Sequence, residues 1–316
     1  MRFKNSIKLI FENFSSIYKL LLYRLIVMVI SMSLIAAIIM PNISMIINSI
    51  QLENIFNLAK EFLRGVLNGT VTSAYDEKFR DAFTAFYEFI RLKSGRIILS
   101  GVLLLVIFVI GRFLNGISNY ALGGMINDHM SSLSHLGFIQ SLIRDLKNAC
   151  VYQIVYVAIT VVYDAAAVLL TYNILFGMFD SLGFFALISA STIFIALMAL
   201  KLTYLSSIMP AMIADNKTLK SAFKSSIKID KKQRPRIFST YVVSLYLIIY
   251  INVTMAVITL MSSLLITVPL SYLLIVCIQF VNYYTITDKK YFINYDNIVI
   301  PKKLREEEKL LNDIDI

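Results

Sequence analysis

The sequence predicts an all-α polytopic membrane protein: six transmembrane helices arranged as three hairpins with interfacial amphipathic helices, both termini cytoplasmic. Three observations predict it. Mean hydropathy is +0.73 with 58% hydrophobic residues, where soluble domains carry roughly 45–50% apolar residues. Six long apolar runs stand at 20–40, 97–119, 151–172, 183–205, 240–261 and 264–286, and a helix needs about 20 mainly apolar residues to cross a hydrocarbon core. The connecting loops swing between many basic residues and none.

The first run follows Arg2, Lys4, Lys8 and Lys19, carries Arg24 near its start and ends at Met40-Pro41 without a small-x-small cleavage pattern, so an uncleaved signal-anchor helix is expected. Arg24, Arg112 and Lys201 lie toward helix ends, from which long basic side chains snorkel to the adjoining loops. Counted that way, 206–239 holds nine basic residues and the short connections after the third and fifth runs hold none. Basic residues are retained on the cytoplasmic side, which puts 120–149, 206–239 and both termini inside. Alternation then makes 41–96 external despite its seven basic residues, as long translocated loops permit. The domain expectation is one membrane domain over 1–287 and a cytoplasmic tail over 288–316.

Each inside segment contains an amphipathic basic stretch: 3–20, 138–149 and 218–229. In the first, Phe3, Ile7, Ile10, Phe11, Phe14 and Ile17 oppose Lys4, Lys8, Glu12 and Ser15, the pattern of an interfacial helix. In the second, Phe138, Leu142 and Leu146 oppose Arg144, Asp145 and Lys147. Three units result, each an interfacial helix followed by two spans. The external loop has two further apolar helical faces, Ile55 to Leu67 and Phe79 to Ile90, broken at Asn68-Gly69. They are expected to lie on the outer leaflet or cap the bundle.

Asp164 is the sharpest single residue, because a carboxylate in a spanning helix costs about 2.5–3.5 kcal/mol on insertion scales and usually faces the bundle interior. Gln153, Tyr156, Thr160, Asp164 and Thr171 share one helical stripe. Asn252, Gln279 and Asn282 are its candidate partners, with no basic residue expected at its depth. The fourth run carries a small-residue packing seam at Ser189, Thr192, Ala196, Ala199 and Thr203.

No metal, cofactor or nucleotide chemistry is expected. His129 and His135 are six apart, which fits no ligand spacing, and neither a P-loop nor a G-x-S-x-G elbow occurs. Cys150 and Cys277 are expected at different depths and unpaired. Asn42-Ile-Ser and Asn68-Gly-Thr match the glycosylation pattern, which signifies only in a eukaryotic secretory route. The net charge of +10 lacks the aromatic context of single-strand binders, so anionic headgroups, not nucleic acid, are the expected partner. Lys217, Lys220, Lys224, Lys228, Lys231, Lys232, Arg234 and Arg236 are the residues expected to meet them, each charge contributing on the order of 1 kcal/mol. In the tail, Lys302-Lys303-Leu304-Arg305 before Glu306-Glu307-Glu308 reads as a short solvated helix suited to a protein partner.

The stretch Ile208-Met209-Pro210-Ala211-Met212-Ile213-Ala214-Asp215, followed by Leu219, Ala222, Ser225, Ser226 and the basic run 231–236, resembles bacterial six-helix membrane proteins akin to the membrane domain of some glycerophosphodiester phosphodiesterases. The resemblance covers 200–284 and implies a six-helix bundle with no defined activity. The metal-binding residues of that group's soluble domain have no counterpart here, so its enzymology is not implied, and the long external loop departs from the pattern. Abundant Ile, Asn and Lys point to a low-GC bacterial source and a cytoplasmic membrane. The expected function is non-enzymatic binding of anionic lipid or a protein partner through the basic inner loops. The rival is a permease subunit with Asp164 in the pathway, served by a separate ATPase. An intramembrane lipid enzyme would need paired carboxylates or histidines at one depth.

Overall fold

Runs of Leu, Ile, Val and Phe without breakers make helix the only spanning structure that satisfies its own backbone in lipid. The computed structural model describes residues 2–68, 74–134, 136–229, 232–301 and Leu304, and over these the chain is an α-helical polytopic membrane protein. Its elements are α1 (Arg2–Glu12), α2 (Ser16–Ile47), α3 (Ile50–Leu67), α4 (Ala74–Leu92), α5 (Ser94–Ser132), α6 (Phe138–Leu182), α7 (Phe184–Leu205), α8 (Ile208–Ala214), α9 (Leu219–Ile227), α10 (Arg234–Ile258), α11 (Leu264–Ile286), β1 (Tyr291–Asn294) and β2 (Asn297–Val299). Among the described residues six helices are long and apolar enough to cross a membrane: α2, α5, α6, α7, α10 and α11.

Two helices overshoot a bilayer. At 39 and 45 residues, α5 and α6 are about 58 and 67 Å long at 1.5 Å per residue. The amphipathic stretch 138–149, expected as a separate interfacial helix, is the first part of α6. Nothing in Asn148-Ala149-Cys150 breaks a helix, and propagation costs far less than a new nucleus. Nor does α2 stop at Pro41, because a spanning helix tolerates one missing N–H where nearby groups supply donors. Asn42 Nδ2 donates to Ile38 O at 2.7 Å and to Ser100 Oγ at 2.8 Å, so its amide is engaged within a helix and does not stand in a loop.

The chain divides into two units, Met1–Leu25 with Arg112–Ile316, and Ile26–Gly111. In the second, Ser49 caps α3 by accepting from Leu52 N at 3.3 Å. The helices α3 and α4 meet through Phe62, whose ring lies edge-on to Tyr75 and Phe79. Phe56, Leu63, Leu67, Phe83 and Tyr87 remain exposed, an unfilled apolar face suited to lipid. Gly69 and Thr70, which complete the expected break and the second glycosylation triplet, lie outside the described residues.

The first unit holds one buried core. It joins Leu9 and Ile10 of α1, Leu20 at the start of α2, the 117–130 end of α5, Phe138 and Tyr152 of α6, Ala199 and Leu202 at the end of α7, Ile237 and Tyr241 at the start of α10 and the 273–284 end of α11. In α1 the buried face is Ser6, Leu9 and Ile10, while Phe11 is 72% exposed; packing against α11 selects a face rotated from the expected stripe. Glycine makes the α5 seam possible. A Cβ on Gly116 would stand 2.2 Å from Gln153 Oε1, and one on Gly124 would stand 2.4 Å from Ser141 Oγ. In α7 the expected seam is buried at Ala199 and Thr203, and Thr192 reaches α10 through Tyr246 Oη at 3.1 Å. Gly183 turns α6 into α7 at φ 52, a conformation open to glycine.

A β-hairpin follows α11. Tyr291 and Ile293 face the core, the period-two burial of a strand, and Asn5 Nδ2 donates to Tyr291 Oη at 2.8 Å. His129, 2% exposed in α5, pairs through Nε2 with Ile293 O at 2.7 Å. It fastens the hairpin to the bundle. His135 and the expected solvated helix after Pro301 lie outside the described residues, apart from Leu304.

Candidate functional site

The polar stripe of α6 faces inward: Gln153 and Thr160 are buried, and Tyr156 packs against the core. One turn beyond Thr160, Asp164 is held by two cations. Lys201 Nζ of α7 lies 2.6 Å from Oδ1, and Arg112 of α5 pairs with Oδ2. Their side chains are 26% (Arg112), 22% (Asp164) and 11% (Lys201) exposed. This corrects the expectation that no basic residue shares the carboxylate's depth and that Arg112 and Lys201 snorkel away. Both reach Asp164 because three helix registers place them level with it. The expected partners are otherwise engaged: Asn252 Nδ2 donates to Ser271 Oγ at 2.9 Å, Asn282 Oδ1 accepts from Arg2 Nη1 at 3.5 Å, and Gln279 lies buried in α11.

From the Gly183 turn, Asp164 and Lys201 lie about 26–27 Å along their helices, close to a hydrocarbon thickness of about 30 Å. The cluster therefore stands near the end of the apolar span opposite that turn. Two cations around one carboxylate leave one positive charge, where a lone carboxylate would be a negative site. A related device holds Arg24, whose Nη2 donates to Asn119 Oδ1 at 2.7 Å and whose Cζ lies 3.6 Å from the centre of the Tyr272 ring.

Asp215, just past α8, forms a second polar clamp. Lys217 Nζ lies 2.8 Å from Oδ2, Tyr283 Oη donates to Oδ2 at 2.6 Å, and Lys289 pairs with Oδ1. Burial pushes this carboxyl up, but the bonds from Lys217, Lys289 and Tyr283 outweigh it and bring it from an ordinary 3.8 to about 2. A folded value below the unfolded one stabilises above pH 3.8, and that contribution disappears as pH falls toward 2. Asp215→Asn is therefore expected to lower stability at neutral pH and to flatten the acid limb of a melting-temperature profile between pH 5 and 2. An unchanged acid limb would remove the clamp from the stability account.

The basic loop residues divide by role. Lys220 and Lys224 of α9, its C-cap Lys228, and Lys232 and Arg236 are exposed. Lys217 is half-buried in the Asp215 clamp, and Arg234 turns back onto Ile227 O, 5.0 Å from the Tyr204 ring. Lys231 lies outside the described residues. Sequence reasoning gave no contact to Asp215 or Arg2, which it named only within a resemblance and a charge count, and did not single out Lys289 or the α5 glycines. The glycine spacing Gly116 to Gly123-Gly124 was one local signal available; the pairs of Asp164 with Lys201 and Arg112 and of Asp215 with Lys289 link residues 37 to 74 apart in sequence. Comparison of the chain with family models, curated proteins and solved structures finds no match.

Proposed function

We propose that the protein binds anionic lipid headgroups through the basic end of its bundle and has no catalytic role of its own. One observation carries this reading. A single core gathers α1, the starts of α2 and α10 and the end of α11, with Ala222 of α9 buried in it. Exposed Lys4, Lys220, Lys224, Lys228 and Arg236 thus belong to segments packed on that core. Phe11 of α1 and Phe14 just past it are exposed in the same N-terminal stretch as Lys4, as an interfacial helix requires.

The same core supports three hairpins with both termini cytoplasmic, because starts of α2, α6 and α10 and ends of α5, α7 and α11 meet in it, and the positive-inside rule makes that end the cytoplasmic one. In this reading the bilayer is a cytoplasmic membrane and the exposed inner surface is open to a protein partner. In nanodiscs of mixed lipid at low salt, the protein is expected to enrich anionic lipid in its annulus. Changing Lys220, Lys224 and Arg236 together to Gln should remove most of that enrichment, at roughly 1 kcal/mol per charge, and added salt should do the same. Equal recovery of anionic and zwitterionic lipid would defeat the proposal. Cysteine labelling at 225 and at 55 from opposite sides tests the orientation.

A permease subunit is the second reading. The convergence of Arg112, Asp164 and Lys201 from three helices favours it, since intramembrane charges commonly mark a route. Stoichiometric co-purification of a nucleotide-binding ATPase in mild detergent would support it; recovery with lipid alone would count against it.

A further inference from the structure

Between the end of α7, α9, the start of α10 and the end of α11 lies a recess of about 380 Å³, within the roughly 300–1,000 Å³ of ordinary ligand sites. Its wall carries two cations, Lys217 and Lys228, and neutral hydrogen-bonding groups from Ser207, Ser225, Gln233 and Tyr283. The hydroxyls already donate within the protein: Ser225 Oγ to Ala222 O at 2.8 Å, Tyr283 Oη to Asp215 Oδ2 at 2.6 Å and Ser226 Oγ to Tyr204 O. Arg2 Nη2 holds Gln233 Oε1 at 2.7 Å, so what this amide has to offer a ligand is its Nε2 donors. Ser207 Oγ and Ser226 Oγ share a bond of 3.2 Å. Asp288 also lines the recess, and Asp215 adjoins it through Lys217 and Tyr283. Asp215 is already shared by Lys217 and Lys289, so the surroundings keep surplus positive charge.

We propose that this recess binds a phosphate-bearing group, either a phospholipid headgroup or a free phosphate ester, with Lys217 and Lys228 as its cations. Several acceptor oxygens on one anion match the converging Lys217 and Lys228 ammonium groups and the Gln233 amide, and such charge-assisted bonds are about twice as strong as neutral ones. Placement favours lipid. Ser207 lies two residues past the end of α7 and Thr287 caps α11, so the recess opens where two spanning helices end, at headgroup level. Ile229 and Ile286 provide an apolar wall alongside the donors, as the acyl chains of a phospholipid would need and a free phosphate would not. The proposal deepens the lipid reading by giving one headgroup a defined seat, and it rests on that reading only for the source of the phosphate.

The test uses the full-length protein in an uncharged, phosphate-free detergent, where loop lysines sense no anionic surface. Binding is read by native mass spectrometry and by thermal shift, with added phosphatidylglycerol, with diacylglycerol and with inorganic phosphate against chloride at equal ionic strength. Phosphatidylglycerol should bind and diacylglycerol should not. Lys228→Gln, at the exposed C-cap of α9, should weaken binding about tenfold, as loss of a charged hydrogen bond implies. Ser225→Tyr, which fills the recess while keeping its charge, should weaken it as much; if that variant is misfolded by size exclusion, Lys228→Gln carries the test. Lys224→Gln, on α9 but outside the recess, should change it less than twofold. A shift with inorganic phosphate but not with phosphatidylglycerol would keep the recess and overturn the lipid source. Equal losses in Lys224→Gln and Lys228→Gln, with none in Ser225→Tyr, would overturn the recess and leave the surface reading intact. No binding of either phosphate compound would overturn the recess, and the nanodisc enrichment then decides the wider reading separately.

Discussion

Asp164→Asn is expected to destabilise the solubilised protein by about 3 kcal/mol, the lower end of what breaking a buried ion pair costs. The variant removes the one anion between Arg112 and Lys201 and leaves two cations facing each other in an apolar span. Their residual exposure keeps the effect from being larger, since water reaching the heads screens the repulsion. A second variant identifies the cause. Changing Lys201 to Met and Arg112 to Gln on top of Asp164→Asn removes every uncompensated charge, and neutral replacement of a buried ion group is often harmless. That triple variant should recover most of the lost stability. If Asp164→Asn melts with the wild type in a detergent thermal-shift assay, the cluster is not structural and the permease reading gains.

Gly116→Ala is expected to cost about 1–3 kcal/mol, the usual penalty for overpacking a fitted site. The new Cβ would lie 2.2 Å from Gln153 Oε1 and 2.3 Å from its Cδ, closer than any real contact. Gln153 is 2% exposed, which leaves its amide little room to swing aside. Gln153→Ala opens that room, so Gly116→Ala should cost far less in the Gln153→Ala background. A coupling energy near zero in the double-mutant cycle would show that α5 and α6 can part at this level without strain.

Much of the fold was legible because lipid imposes simple rules. All six expected spans correspond to observed helices, and 264–286 agrees to the residue. The errors lay at helix ends. Hydropathy marks where lipid begins, whereas α5 and α6 continue until the backbone meets a breaker, at the turns beyond Ser132 and before Phe138. The hairpin β1–β2 was missed because two short strands carry little periodic signal, and their burial depends on α1 and on His129.

For the candidate site, the inward face of the α6 stripe and the oddity of Asp164 were readable from spacing alone. The partners were not. Snorkelling rules assign Arg112 and Lys201 to the loops because a single helix offers a cation nothing better, and the alternative exists only once three helices are aligned. By itself the sequence determined that this chain lives in a bilayer, how often it can cross and which stretches are basic, since those properties follow from local composition and the thickness of lipid. Only the tertiary structure decided which face of α1 is buried, that Asp164 is shared by two cations, that Asp215 is clamped by Lys217, Lys289 and Tyr283, and that a polar recess opens beside that clamp. Each of these depends on the rotation and register of packed helices, which are set by contacts between residues far apart in the chain.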